Sequence, residues 1–178
     1  MNKDVEIISE KVLSDNWYVL KKISFKYRTA LGEWQLQERE AYDRGNGAVI
    51  LLYNLENKSI ILTRQFRMPT YINGNEDGMM IEACAGLLDE NSPEDCIKRE
   101  TEEETGFRIS APQKIFEAYM SPGSVTEILY FFIAEYNAKM KVSEGGGHED
   151  EHENIEVLEV PFDQALNMIS TGKIKDAK

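Results

Sequence analysis

Three glutamates have the residue type and the spacing that could hold a metal ion. Glu100, Glu103 and Glu104 stand at positions i, i+3 and i+4, so in a helix their side chains lie on one face. A helix ends in partial negative charge, so each carboxylate near its C-terminus costs about 0.3–1 kcal/mol. A divalent cation would offset this repulsion, and carboxylate oxygens favour magnesium, manganese or calcium. The cluster therefore predicts a cation site, although by itself it leaves open a solvated acidic helix face.

The sequence marks both ends of the helix that would carry these glutamates, over residues 93–105. Ser92 can cap the N-terminus, Pro93 suits the first helical position, and Asp95 completes an approximate capping box. Gly106 can adopt the left-handed conformation that ends a helix. The glutamates therefore fall in the last turns of a well-defined helix.

Short strands surround this helix in the sequence. Alternating or continuous apolar residues predict strands at 23–27, 34–42, 48–53, 59–63, 79–84, 113–119, 128–136 and 155–160, and a closing helix at 162–170. Strands mixed with two helices indicate an α+β fold with a mixed sheet covered on both faces.

Composition narrows the class of protein. The chain has 178 residues and a formal net charge of -12, which argues against a free-standing nucleic-acid binder with its basic face. An acidic protein can still bind phosphates through divalent cations. Cys84 and Cys96 lie in apolar contexts, so we expect reduced core thiols and a cytoplasmic location. Residues 1–6 lack the pattern of a signal peptide, so we expect none. No apolar run approaches membrane-spanning length, so we expect no transmembrane helix.

Residues 86–107 resemble the Nudix box, in which a glycine and a glutamate precede Arg-Glu, an apolar residue, a Glu-Glu pair and a final glycine. The matching positions are Arg99, Glu100, Glu103, Glu104 and Gly106. The sequence departs from the box in three places. The stretch between Gly86 and Arg99 is one residue short, Ser92 stands at the box's first glutamate, and Thr101 stands at the apolar position.

The resemblance extends over nearly the whole chain. The segments that carry it are 13–16, 39–47, 65–67, 73–76, 84–89, 119–123, 125–127, 131–136 and 145–147. Together they are similar to the nucleoside-diphosphate-sugar pyrophosphatase branch of the Nudix hydrolases, and within it to bacterial GDP-mannose pyrophosphatases of the NudK type. The resemblance implies a Nudix fold, with a mixed β-sheet in an α/β/α sandwich and a small N-terminal antiparallel sheet. It further implies two domains: residues 1–44 for dimerisation and base recognition, and residues 45–178 as the hydrolase domain.

The same resemblance implies magnesium-dependent hydrolysis of a nucleotide sugar, with manganese as a possible substitute. GDP-mannose would give GMP and mannose 1-phosphate. The ligands implied for magnesium are the backbone oxygen of Ala85 and the side chains of Glu100, Glu104 and Glu151. Glu151 is the expected catalytic base because a glycine-rich loop can carry it over the substrate. Glu100 is the alternative base, and Glu103 the expected helper.

Substrate contacts are implied in both parts of the chain. They are Trp17, Arg39, Glu40, Arg67, Ala85, Gly86, Leu87, Glu104, Glu127, Asp150, Glu151 and Lys178. Arg67 is expected to bind the phosphates, since a guanidinium suits that role. Trp17 would stack on the base or serve ordinary packing, and Arg39 with Glu40 would contact the base or form a solvated strand pair. Family members are homodimers in which each N-terminal sheet reaches the partner's site.

Other functions remain open from the sequence. An ADP-ribose pyrophosphatase shares the box, and a non-catalytic nucleotide-sugar sensor would bind without cleaving. The string from His148 to His152 fits the zinc-protease pattern, but that pattern needs a helix, and a glycine run precedes it. A calcium buffer is disfavoured because no EF-hand loop spacing is present.

Overall fold

The computed structural model describes residues 3–148 and 153–178, and its backbone divides into two compact units. The first contains Met1–Asn46 and Tyr119–Ile128, and the second contains Gly47–Ala118 and Leu129–Lys178. No helix among the described residues has the length and apolar character needed to cross a membrane.

The first unit is built on a three-stranded antiparallel sheet. Its strands, in spatial and chain order, are β1 (Val5–Asp15), β2 (Val19–Arg28) and β3 (Trp34–Asp43). The sequence pattern predicts β2 and β3 but not β1. The register of β1 shifts between Ile7 and Ser9 and again between Val12 and Ser14. Because each irregularity interrupts the alternation of the strand, no continuous two-residue period is visible there.

The second unit contains a seven-stranded mixed sheet. Its strands are β4 (Gly47–Asn54), β5 (Ser59–Phe66), β6 (Met79–Glu82), β7 (Cys84–Leu87), β8 (Gln113–Tyr119), β9 (Ile128–Glu135) and β10 (Glu156–Pro161). The order is β10-β5-β4-β9-β8, with β6 paired to β5 and β7 paired to β4. Strands β4 and β9 run parallel, and β4 is buried along nearly its whole length because it lies inside the sheet.

One predicted strand, over residues 79–84, is wrong as a single element. The strand is interrupted at Ala83, so that β6 pairs with β5 while β7 pairs with β4. Both halves are apolar, and the change of partner therefore leaves no mark on the hydrophobic pattern. As a result, Ala85 and Gly86 pair with β4, whereas Glu82 pairs with β5.

Helices cover both faces of this sheet, as the sequence predicts. The helices are α1 (Met68–Ile72), α2 (Pro93–Glu100) and α3 (Phe162–Ser170). On one face, Cys96 and Ile97 of α2 belong to a buried cluster with Ile50. On the other face, Ala165 and Met168 of α3 pack in a cluster with strand residues of β5 and β10. The result is an α/β/α sandwich within an α+β fold.

The end of the α2 segment is fixed by a glycine that has no room for a side chain. Gly106 has φ 77°, and a Cβ at this position would overlap the backbone oxygen of Ser143. Gly172 has a similar φ of 71°, but nothing lies within 4 Å of the position its Cβ would take. Only the first glycine is therefore required for packing as well as for backbone conformation.

These two glycines provide a matched stability test. Gly172→Ala should lower the free energy of unfolding by about 1–2 kcal/mol from left-handed strain alone. Gly106→Ala should lose that amount and roughly 1–3 kcal/mol more from the overlap with Ser143. Urea unfolding measures both values. Equal losses in the two variants would contradict the packing role of Gly106.

Candidate active site

The helix that carries the glutamates changes its winding before it ends. Ser92 caps it as predicted, accepting a hydrogen bond from the backbone N–H of Asp95 at 3.2 Å. After Glu100, residues Thr101–Thr105 form a π-helical turn instead of continuing the α-helix. Such turns often lie at functional sites because they re-aim side chains. The sequence pattern predicts one continuous helix over residues 93–105 and gives no sign of this turn.

Buried threonines account for one departure from the box. Thr101 and Thr105 are fully buried. The Thr101 hydroxyl donates to the backbone oxygen of Ile97, and the Thr105 hydroxyl donates to that of Thr101. A hydroxyl whose hydrogen bond is made within its own helix can occupy a position where an apolar side chain is usual.

Glu104 is a carboxyl group placed almost wholly out of water. Its side chain is buried beneath β7, and the backbone N–H of Ala85 donates to its Oε2 at 3.3 Å. Burial raises the pKa of Glu104 to about 8, and the charges of Glu100 and Glu153 add to this effect against the opposing hydrogen bond from Cys84. Without a cation, Glu104 therefore holds its proton at neutral pH.

Glu100 and Glu103 are held differently from Glu104. A Cβ at Gly86 would overlap the side chain of Glu100, so this glycine provides the space in which Glu100 lies. Arg99 donates to Glu100 Oε1 at 2.7 Å and to Glu103 Oε2 at 2.8 Å. Glu100 is only 14% exposed and Glu103 29%. One arginine thus balances part of the charge of both carboxylates.

The glycine-rich segment is anchored to the end of the same helix. Gly146 donates its N–H to the backbone oxygen of Glu104 at 2.9 Å, and Gly147 donates to that of Glu103 at 3.2 Å. The carboxylate of Glu153, the next described residue, accepts from the N–H of His148 at 3.2 Å. These bonds satisfy helix carbonyls and fix the start of the loop.

Two predicted residues in this loop lie outside the described residues. They are Asp150 and Glu151, and the roles expected of them stay predictions. His152 lies there too, and His148 is not in a helix. Within residues 3–148 and 153–178, no three His, Cys, Asp or Glu side chains form a group that could hold a metal ion. The predicted ligand set therefore still depends on Glu151.

Arg67 and Lys178 both contact Glu82, a buried acid that was not among the residues predicted from the sequence. Arg67 makes two hydrogen bonds to Glu82, and Lys178 lies 3.5 Å from the same carboxylate. Burial alone would raise the pKa of Glu82, but these two cations lower it below its ordinary value. An acidic residue that closes an apolar strand is the one signal that could have pointed to it. Leu87, also predicted, accepts a hydrogen bond from the Cys96 thiol through its backbone oxygen.

The remaining predicted residues lie in the first unit. Trp17 is 85% exposed and its ring lies edge-on to Tyr18, with centroids 6.3 Å apart, so little of the ring is packed against the residues that the structure describes. Arg39 donates to the backbone oxygen of Glu38 and to Gln37, and Glu40 is exposed opposite Lys22. A further carboxylate, Glu127, is 12% exposed and lies 3.5 Å from Arg44. Glu127 is therefore held in place by an arginine. The exposed positions of Arg39 and Glu40 fit a solvated strand pair as well as they fit a contact with the base.

The raised pKa of Glu104 has a consequence for stability. Between about pH 4.5 and 8, the native metal-free protein holds a proton on Glu104 that the unfolded chain has lost. Stability in a chelator should therefore fall as pH rises through this window, by at most about 1.4 kcal/mol per pH unit for one proton. Urea unfolding of the native sequence and of Glu104→Gln at several pH values measures the difference, which should disappear in the variant. Identical slopes in both proteins would refute the buried-proton assignment.

Comparisons with known proteins cover the whole chain. Residues 4–42 match the family model described as the GDP-mannose pyrophosphatase NudK N-terminal domain, and residues 43–177 match the NUDIX domain. The GDP-mannose pyrophosphatase of Enterobacter sp. (strain 638) is 56% identical, over 100% of this chain and 92% of its own length. That of Cronobacter sakazakii is 54% identical over the same shares.

A solved structure supports the same fold. The crystal structure of an ADP compounds hydrolase superposes with a TM-score of 0.68, covering 94% of this chain and 84% of its own, at 16% identity. This similarity bears on the fold alone. The two family models and the full-length relatives establish that the chain belongs to the Nudix hydrolase family.

Proposed function

We propose that this Nudix pyrophosphatase hydrolyses the pyrophosphate bond of GDP-mannose, releasing GMP and mannose 1-phosphate. The observation that carries the chemistry is the buried Glu104 beside Glu100, at the end of a helix with the Nudix pattern. The substrate is supported by relatives named GDP-mannose pyrophosphatase, which match the chain from end to end.

The donor set at this site suits a hard cation. Glu100, Glu104 and the backbone oxygen of Ala85 would hold magnesium together with Glu151, and manganese fits the same oxygens. The observation that supports the fit is that Glu104 is forced to hold a proton that a divalent cation would displace. When bound, magnesium neutralises charge on the pyrophosphate and lowers the pKa of a bound water.

The surrounding side chains would bind and orient the substrate. Arg67 offers a planar guanidinium to the phosphates, and Lys178 adds a second positive charge. Glu103 would keep Arg99 in place between two carboxylates. Glu151 is our assignment for the base that takes the proton from water, since Glu100 is confined against Gly86 and paired with an arginine.

Recognition of the base is assigned to the N-terminal extension, residues 1–44, which would act at the site of a second copy in a homodimer. Trp17 has an exposed ring that could stack on guanine, and Arg39 with Glu40 would read its edge. Glu127 and Asp150 would contact the remaining polar groups of the substrate. Since no disulfide links the buried thiols Cys84 and Cys96, the proposal places the enzyme in the cytoplasm.

Substrate preference and metal binding can be tested in one assay. Purified protein with magnesium should cleave GDP-mannose with a higher kcat/KM than ADP-ribose or ADP-glucose. Glu104→Gln should lower kcat at least about 100-fold, because a metal-binding carboxylate is lost. The matched control is Glu94→Gln, which removes an exposed carboxylate paired to Lys98 on the same helix and should leave turnover unchanged.

Three results would contradict the proposal. Faster cleavage of ADP-ribose would reassign the substrate. Near-native turnover by Glu104→Gln would remove the carboxylate from the metal site. Tight GDP-mannose binding in isothermal titration, with no phosphate-containing product formed in magnesium, would make the protein a sensor instead of an enzyme.

We also propose a homodimer formed through the N-terminal extension, residues 1–44. Its three-stranded sheet exposes a set of large apolar side chains, namely Val5, Ile7, Ile8, Val12, Leu13, Tyr27, Trp34 and Leu36. Strand β1 has no buried residue at all. Exposed apolar surface of this kind is typical of a protein-protein interface, and a second copy would cover it.

Light scattering after size-exclusion chromatography tests the dimer. Leu36→Glu, at a side chain that is 68% exposed on β3, should shift the mass towards the monomer because a charge would be buried in the interface. Leu55→Glu is the matched control, since Leu55 is 62% exposed in the second unit. A monomeric native protein, or equal effects of both substitutions, would contradict this interface.

A further inference from the structure

Glu82 is a buried acid for which the proposed chemistry has no direct use. It is the last residue of β6, and its side chain is 3% exposed. A carboxylate in such a position is unfavourable unless it is paired and hydrogen-bonded. Its carboxylate is paired with Arg67 and Lys178, two residues that are expected to contact the substrate.

Arg67 is held by one edge of its guanidinium. Its Nε donates to Glu82 Oε1 at 3.0 Å, and its Nη2 donates to Glu82 Oε2 at 2.7 Å. Two parallel hydrogen bonds fix the plane of the group as well as its position. Its third nitrogen, Nη1, makes no hydrogen bond with any part of the chain at 3–148 or 153–178. The side chain is 41% exposed, so donors remain accessible to a second anion.

Lys178 approaches the same carboxylate from another side. Its Nζ lies 3.5 Å from Glu82 Oε2 and 3.1 Å from Asp176 Oδ2, and its side chain is 16% exposed. The ammonium is therefore shared between two acids and kept in one place. Two cations and two carboxylates balance each other within this cluster.

The cluster adjoins the glutamates of the helix. Glu82 lies three residues before Ala85, whose N–H donates to Glu104 Oε2 at 3.3 Å, and the carboxyl groups of Glu82, Glu104 and Asp176 all help to raise the pKa of Arg67. Arg67 thus lies within electrostatic range of a carboxylate that would bind the metal. A diphosphate bound next to that carboxylate would come within reach of the donors that Glu82 leaves unused.

We propose that Glu82 is a positioning residue, which holds Arg67 and Lys178 ready for the two phosphates of a nucleoside diphosphate beside Glu104. The inference rests on the proposed function, because it assumes that a diphosphate binds there. Holding a cation in its binding orientation removes the entropy cost of ordering it when the substrate arrives. Since phosphates are bound before the reaction begins, the effect should appear mainly in KM.

Glu82→Gln tests this role, because glutamine keeps the shape of the side chain and removes its charge. We expect KM for GDP-mannose to rise about 10-fold, with kcat changed less than about 3-fold. The Kd for GDP in isothermal titration should rise by the same factor. The matched control is Glu156→Gln on the same sheet, whose carboxylate lies 3.1 Å from Arg64. Its KM and Kd should stay at the native values.

A double-substitution cycle separates positioning from a structural role. Because Glu82 is proposed to act through Arg67 and Lys178, Glu82→Gln should raise KM by a smaller factor in the Arg67→Lys background, where the planar pair is already lost, than in the native protein. Additive effects would overturn the inference, as would an unchanged KM and Kd in folded Glu82→Gln. Thermal melting checks the fold. If Glu82→Gln does not fold, Glu82→Asp keeps the charge but shortens the reach, and an unchanged GDP affinity there would overturn the inference.

The failure of the proposed function would look different. A native protein that does not cleave GDP-mannose would refute the activity. GDP affinity would still report on positioning, because that measurement needs no turnover.

Discussion

The structure depends on removing one carboxyl group from water next to another. Glu104 is 3% exposed, and the negative charge of nearby Glu100 and Glu153 makes its ionisation still less favourable. Such a group must keep its proton or find a cation. The surrounding strand, helix and loop keep Glu104 buried, so its ionised form needs a cation. A divalent ion bound together with a diphosphate would supply that positive charge.

Several elements cooperate to hold the group there. After Ala83 the chain changes its pairing partner from β5 to β4, and β7 brings the N–H of Ala85 to Glu104. Gly86 makes room for Glu100, because any side chain would overlap it. The π-helical turn Thr101–Thr105 then ends against a glycine segment whose N–H groups cap the helix carbonyls. Strand, helix and loop thus converge on one small volume.

The sequence predicts a large part of this and misses parts for identifiable reasons. The cap at Ser92, the stop at Gly106 and the face shared by the glutamates follow from local rules, and the structure confirms the first two. The π-helical turn, the change of partner at Ala83 and the bonding of Glu82 depend on contacts between residues far apart in the chain. Apolar patterns record which residues are buried, but not which neighbour buries them.

Crystals of the native protein soaked in manganese, with anomalous diffraction recorded, test the central claim most directly. We predict a peak about 2.0–2.3 Å from oxygens of both Glu100 and Glu104, as expected for a hard divalent cation bound by carboxylates. An ordered Glu104 that keeps its hydrogen bonds with Ala85 and Cys84, with manganese bound elsewhere or not at all, would contradict the account.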